Sequence, residues 1–187
     1  MTSPEAGAGS VPGLPAAVVV ASNRAAAGVY DDTTGPLIVS WLAGLGFAVG
    51  APAVVPDGEP VGEAIRAAVD AGARVVLTTG GTGLTPTDRT PDVTRPLLDR
   101  EVPGIAEAIR AHGVAKGVPT AALSRGLAGV VGTCLVVNLP GSRGGVKDGL
   151  AVLEPMLVHA VEQVVGSDHE RSVGSDHDRP GGSGSAG

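Results

Sequence analysis

Apolar positions along the chain follow two alternating rhythms. Short, Val-rich continuous runs at 16–21, 47–55, 74–78 and 130–138 predict strands, each bounded by Gly, Pro or polar residues. Helical spacing fills the intervals. Leu37, Ile38, Trp41, Leu42 and Leu45 share one face over 34–45, and Val61, Ile65, Ala68 and Val69 share another after Glu59-Pro60, which puts proline in a first turn. Thr90-Pro91-Asp92 reads as a helix start, with a capping hydroxyl, proline at the first position and an acid near the positive end of the dipole. A further helix is expected over 105–114. The strongest spans 150–165, with Leu150, Leu153, Leu157, Ala160, Val161 and Val164 on one stripe. A hairpin arm near 121–131 is expected ahead of the last strand. The order β-α-β-α-β-α-α-β-α, with strands apolar on both faces, predicts an α/β fold whose mostly parallel sheet is covered by helices on both sides.

The 187 residues suit one domain, placed at 15–165. Positions 1–14 and 166–187 are Ser-, Pro- and Gly-rich without periodicity and are expected to be flexible. The second stretch repeats Gly-Ser-Asp-His at 166 and again at 174, and it has too few apolar residues to offset its ordering entropy. Aromatic residues are 2% of the chain, so the core must be Val, Ala and Leu, and no stacking platform for single-stranded nucleic acid exists. A net charge of −6 without a basic cluster also argues against nucleic acid. No apolar run approaches the roughly 18 residues of a membrane span, and the first residues lack a secretory pattern, so a cytoplasmic protein is expected. The single cysteine, Cys134, reads as a small buried hydrophobe.

In a parallel sheet, ligands sit beyond the C-terminal ends of the strands. Four predicted strands end there in polar loops: Ser22-Asn23-Arg24, Pro56-Asp57-Gly58, the run from Thr79 to Asp88, and Asn138-Leu139-Pro140-Gly141-Ser142. Gly80, Gly81 and Gly83 allow close backbone approach and offer N–H groups, and Thr79, Thr82 and Thr85 add hydroxyls, a combination suited to phosphate. No Gly-Lys-Ser/Thr follows, which excludes a Walker A loop, and Pro86 interrupts a dinucleotide fingerprint. Tight turns also use such glycines. Asp88, and Asp57 at a neighbouring strand end, add the two carboxylates that suit Mg²⁺ beside substrate phosphates. Asp92 ranks below them as a first-turn acid. Ser124-Arg125 reads equally as a phosphate contact or a solvated turn. Trp41 and Phe47 read as core, and His112 and His159 as structural or solvated.

The run Thr78-Thr79-Gly80-Gly81-Thr82-Gly83, with Asp88 and Thr90-Pro91-Asp92 after it, resembles the signature of the MogA/MoaB-like molybdopterin-binding family. Ser22-Asn23-Arg24 with Gly28-Val29-Tyr30-Asp31-Asp32 near the start, Leu98-Asp99-Arg100-Glu101-Val102-Pro103-Gly104, Leu123-Ser124-Arg125 and Asn138-Leu139-Pro140-Gly141 continue the resemblance in order, over about 16–165. It implies a three-layer α/β/α sandwich, commonly trimeric, and adenylyl transfer from Mg²⁺·ATP to the terminal phosphate of molybdopterin, whose product serves a molybdate-inserting partner enzyme. It implies Asp57 and Asp88 as the essential, metal-holding pair. It implies Ser22, Thr79, Gly80, Gly81, Thr82, Gly83, Asp92, Ser124, Asn138, Pro140, Gly141 and Ser142 as substrate and nucleotide contacts. The chain departs from the family pattern at Asn23, where many members carry Asp, and at Ser142-Arg143-Gly144-Gly145, where many carry a second proline. Lys147 reads equally as a basic group serving that loop or as a solvated lysine. A MoaB-type paralogue and a non-catalytic molybdopterin carrier remain alternatives.

Overall fold

The computed structural model describes residues 11–29 and 31–166. The predicted tail from 167, residues 1–10 and Tyr30 lie outside it. One seven-stranded sheet carries the order β2-β1-β4-β7-β6-β5, formed by β1 (Pro15–Ala21), β2 (Ala48–Val49), β4 (Val75–Thr79), β5 (Arg100–Glu101), β6 (Ala128–Val131) and β7 (Cys134–Leu139), with β3 (Ala53–Val55) also on β1. Strands β1, β2, β3, β4 and β7 run parallel, and β5 and β6 are antiparallel additions at one edge.

Side chains alternate across this sheet, as strand geometry requires. Val18 and Val20 of β1, Val75 and Leu77 of β4, and Leu135, Val137 and Leu139 of β7 face one core. Helices α2 (Gly35–Gly44), α5 (Pro103–Ala115), α6 (Arg143–Leu153) and α7 (Leu157–Gly166) cover that face, burying Ile38, Leu42, Ile109, Val146, Leu153 and Leu157. Val19, Val76 and Val136 point the other way, under Val61 and Ile65 of α3 (Glu59–Asp70) and Val93 of α4 (Thr90–Thr94). This is the expected three-layer α/β/α sandwich. Packing reaches back to Val11, 3% exposed in the larger core, although 1–14 reads as flexible. Gly13 N–H donates to the Gly46 carbonyl, and Ala48 N–H to that of Leu14.

Four element boundaries differ from the reading of the sequence. The run 47–55 is two short strands. Between them β1 advances from Ala16 to Val19 while its partners advance from Val49 to Ala53, so one extra residue bulges out where Gly50 and the donor-less Pro52 stand. The run 130–138 is a hairpin, because Gly132 adopts φ +55° and turns the chain, pairing Val131 with Cys134. The stripe 150–165 is two helices meeting at 61°, broken at Glu154-Pro155-Met156, since proline removes a donor and clashes with the preceding turn. Thr90 does not cap α4: Arg89 holds the cap position, and the Thr90 hydroxyl lies within 3.5 Å of Asp57 Oδ1.

Cys134 is buried, as expected, and desolvation pushes its thiol up to about 12. A thiol reagent at pH 8 is therefore expected to leave the native chain unmodified and to react stoichiometrically after denaturation. Rapid native labelling would contradict the packing of β7.

Candidate functional site

The sheet creates a crevice where successive connections leave in opposite directions. From β1 the chain moves out to β2 and β3, then returns past β1 to β4. The loops after β1, β3, β4 and β7 meet at this end. Gly80, at φ +91°, lies so close to the end of β1 that an added Cβ would stand 2.2 Å from the Ala21 carbonyl oxygen. Gly141, after β7, packs on Gly80 from the opposite side. The Thr79 hydroxyl donates to the Pro140 carbonyl at 2.7 Å and ties the β4 and β7 loops together.

Asp57 and Asp88 both arrive at the Gly-rich loop. Asp57 Oδ1 accepts from Gly58 N–H at 2.7 Å and Arg89 N–H at 3.1 Å, while Asp57 N–H donates to Asn23 Oδ1 at 3.0 Å. Asn23 lies in the one-turn α1 (Asn23–Ala26), capped by the Ser22 hydroxyl accepting from Ala25 N–H. The residue that departs from the family pattern thus positions Asp57 through its backbone. The other oxygen, Asp57 Oδ2, faces Gly81, where an added Cβ would approach it to 2.1 Å. Asp88 Oδ2 accepts from Thr85 N–H at 3.0 Å and the Thr85 hydroxyl at 2.6 Å, beside Gly83. Two carboxylates from different loops therefore lie against one short stretch of backbone, as the sequence predicts.

Arg125 holds this stretch from behind. Its Nε donates to the Gly83 carbonyl at 2.8 Å, one Nη to the Asp88 carbonyl, and both Nη groups to the Asp92 carboxylate. The guanidinium thus bonds to two carbonyls of the loop and to the Asp92 carboxylate. Hydrogen bonding from Arg125, opposed by desolvation and aided by its charge, holds Asp92 below the usual carboxylate range. A depressed folded value stabilises above the unfolded value, and the contribution is lost as pH falls through the lowered one. The Asp92 side chain is 50% exposed, so the pair contributes only about 0–1 kcal/mol. Arg125→Met is expected to return Asp92 to the ordinary carboxylate range in an NMR titration, and to speed amide exchange at Thr85 and Arg89. Unchanged exchange would show that the loop needs no clasp.

Several predicted contacts turn out to be internal braces. Asn138 is 2% exposed: its Nδ2 donates to the Thr78 and Thr94 hydroxyls, and its Oδ1 accepts from Leu127 N–H. Its side chain is a core polar bridge, with both its polar atoms bonded to protein partners. Thr79 and Asp92 likewise engage protein partners. Thr82, Gly81, Gly83, Asp88, Ser124, Pro140, Gly141 and Ser142 do line one cleft of about 420 Å³. Ser142 also caps α6, accepting from Gly145 N–H at 3.1 Å. Ser22 and Gly80 border a smaller hollow of about 130 Å³ on the other side of the β4 loop, with Asp32. Lys147 and Arg143 line a separate groove between α2 and α6 with Trp41.

The sequence reading misses the far wall of the cleft. Ile109, Arg110 and Gly113 of α5, Val118 and Leu123 beyond it, and Asp148 of α6 complete the cavity. Val118 and Leu123 are 46% and 53% exposed, apolar positions that fit no helical stripe, which is the one signal that distinguishes them. Arg110 donates to the Ser124 and Gly126 carbonyls and fixes the turn bearing Arg125.

Comparison with known proteins adds relatives to this geometry. Residues 17–159 match the family described as "Probable molybdopterin binding domain". A solved Mog protein of molybdopterin biosynthesis from Mycobacterium ulcerans is 51% identical, with a TM-score of 0.77, covering 81% of this chain and 99% of that one. A molybdopterin adenylyltransferase from Haemophilus influenzae is 40% identical over 140 residues, 71% of this chain and 69% of the relative. A molybdenum cofactor biosynthesis bifunctional protein from Synechococcus elongatus is 40% identical over 163 residues, 86% of this chain. The chain spans about half the length of that bifunctional relative.

Proposed function

This chain belongs to the molybdopterin-binding domain family, and on that premise we propose that it transfers an adenylyl group from Mg²⁺·ATP to the terminal phosphate of molybdopterin in molybdenum cofactor biosynthesis. The observation that carries the reading is the pair Asp57 and Asp88, drawn from two strand-end loops onto one Gly-rich backbone beside the 420 Å³ cleft. The Haemophilus influenzae relative, named as a molybdopterin adenylyltransferase, supports it.

The donor set fits magnesium. Among the described residues no group of three or more His, Cys, Asp or Glu forms a protein-only metal cage. Two carboxylates alone match an ion that keeps waters and shares substrate phosphates. Asp57 and Asp88 would hold it, and when bound it neutralises charge on the triphosphate.

In the proposed reaction an oxygen of the molybdopterin phosphate attacks the α-phosphorus of ATP. The bond from that phosphorus to the bridging oxygen breaks, and pyrophosphate leaves. No protein nucleophile is required. Backbone N–H groups of 80–83 and the N-terminus of α6 meet phosphate oxygens and offset the charge that develops on them. Thr79, Asn138 and Arg125 hold those groups in place. We further propose a cytoplasmic homotrimer that hands its product to a molybdate-inserting enzyme. Among the described residues no single helix is long and apolar enough to cross a membrane.

The test is incubation with molybdopterin and Mg²⁺·ATP. Adenylylated molybdopterin and pyrophosphate are expected in equal amounts. Binding of both substrates without either product would overturn the transfer reading.

A further inference from the structure

Apolar surface and unpaired charge meet at one place that the proposed chemistry leaves unused, the groove of about 640 Å³ between α2 and α6. Arg143, Lys147, Leu150, Ala151 and Glu154 line it from α6, at helical spacing that puts them on one stripe. Leu37 and Trp41 face them from α2, each half-buried. Arg143, Lys147 and Glu154 are exposed, and none forms an ion pair with a described residue. From the break before α7 towards the crevice, the groove thus presents an anion, an apolar stretch, and two cations about 6 Å apart along the helix.

The sequence beyond α7 carries the complementary order. Arg171 comes first, Val173 next, then Asp176 and Asp178. In an extended chain Asp176 and Asp178 share a side and stand about 7 Å apart, close to the separation of Lys147 and Arg143. Arg171 and Val173 share the opposite side, and Gly174 frees the backbone to turn both pairs onto one surface. Arg171 to Asp178 spans at most about 23 Å, and a bend at Gly174 brings that towards the length of helix from Glu154 to Arg143, about 17 Å. The segment can also return to the groove. Helix α7 has ten residues and is about 15 Å long, and the five residues from Gly166 to Arg171 extend up to about 17 Å. A single valine cannot hold such a segment by apolar burial. Tethering by a short flexible linker raises the local concentration to about the millimolar range, where a few exposed ion pairs suffice at low ionic strength.

We propose that residues 171–178 dock on their own chain along the α2–α6 groove, with Arg171 at Glu154, Val173 against Leu150 and Trp41, and Asp176 and Asp178 on Lys147 and Arg143. The docked segment neutralises the two cations at the end of α6 that follows Ser142, and it covers the apolar side of Trp41. This goes beyond the adenylyl-transfer reading and does not rest on it.

Trp41 is the only tryptophan of the chain and lines the groove, so it reports on the contact. In the full-length chain, Ser172→Cys is labelled with bimane, a fluorophore that tryptophan quenches at contact, while the buried Cys134 stays unlabelled. Strong quenching is expected at about 0.01 M salt. It should fall at least about threefold at about 1 M, as the Debye length drops from about 30 Å to about 3 Å. Trp41→Phe should abolish it. Arg143→Glu with Lys147→Glu should remove most of the quenching, and so should Asp176→Lys with Asp178→Lys. All four together should restore at least about half of it, because exchanging the charges recreates the pairs. Labelled chains carrying Trp41→Phe, mixed with unlabelled wild-type chains, should show no quenching, since the contact lies within one chain. No quenching at low salt, quenching that survives Trp41→Phe or about 1 M salt, or no recovery on charge exchange would each overturn the proposal. Quenching in the mixture would overturn it as well, and would assign the groove to a neighbouring copy.

Discussion

Asp88→Asn is expected to lower the rate of adenylyl transfer by about 10²- to 10³-fold, the loss seen when one preorganised electrostatic element is removed. Asparagine retains an oxygen that can accept from the Thr85 N–H and hydroxyl, so the loop keeps its local bonds and only the charge is lost. Stability should change by less than about 1 kcal/mol, as for other exposed substitutions. Asp57→Asn should cost a similar factor in rate but more in stability. Its Oδ1 anchors the Gly58 and Arg89 N–H groups, and hydrogen bonds to an ionised acceptor contribute about 1.5–3 kcal/mol each, more than a neutral amide recovers. The double substitution should be little worse than the worse single one, because the two carboxylates act as a unit. Single-turnover rates with pre-bound molybdopterin, alongside denaturant unfolding, separate the two effects. Full transfer by Asp88→Asn at saturating Mg²⁺·ATP would leave molybdopterin binding without metal-assisted catalysis as the better reading.

Gly80→Ala should be the most damaging single-methyl change at the crevice. A non-glycine residue at φ +91° costs about 1–2 kcal/mol. The new Cβ would also stand 2.2 Å from a backbone oxygen at the end of β1, which cannot rotate away as a side chain would. Overpacking of this kind adds about 1–3 kcal/mol, for a total of about 2–5 kcal/mol. The strand ends must then separate, and with them the Gly141 contact and the Thr79–Pro140 tie. Thermal unfolding should show the loss directly, with the affinity for both substrates reduced in the fraction that folds. Unchanged stability would mean that β1 and β4 do not converge as described.

Much of the fold was legible because burial imposes a period. The Val-rich strands β1, β4 and β7 and the stripe of α3 can be read off the order of residues, since one layer must fill both faces of the sheet and another only one. The breaks were not legible. Pro155 and Gly132 are visible as residues, but a stripe of apolar side chains runs across both, and only packing decides whether the chain bends there or continues.

The candidate site divides in the same way. Sequence by itself determined the residues whose chemistry is intrinsic: the Gly-rich run after a strand, and Asp57 and Asp88 as carboxylates near it. Tertiary structure decided which of the surrounding polar groups face the cleft. Thr79 and Asn138 carry ordinary ligand-type side chains, yet the convergence of β4, β7 and α4 turns them onto Pro140, Thr78 and Thr94. Arg125 lies 42 residues from Gly83, and Asp148 lies 32 from Lys116. At those separations no local period links the partners. Their pairing follows from which helices share a face of the sheet, because a buried polar group must be satisfied by whatever donor or acceptor the packing brings to it.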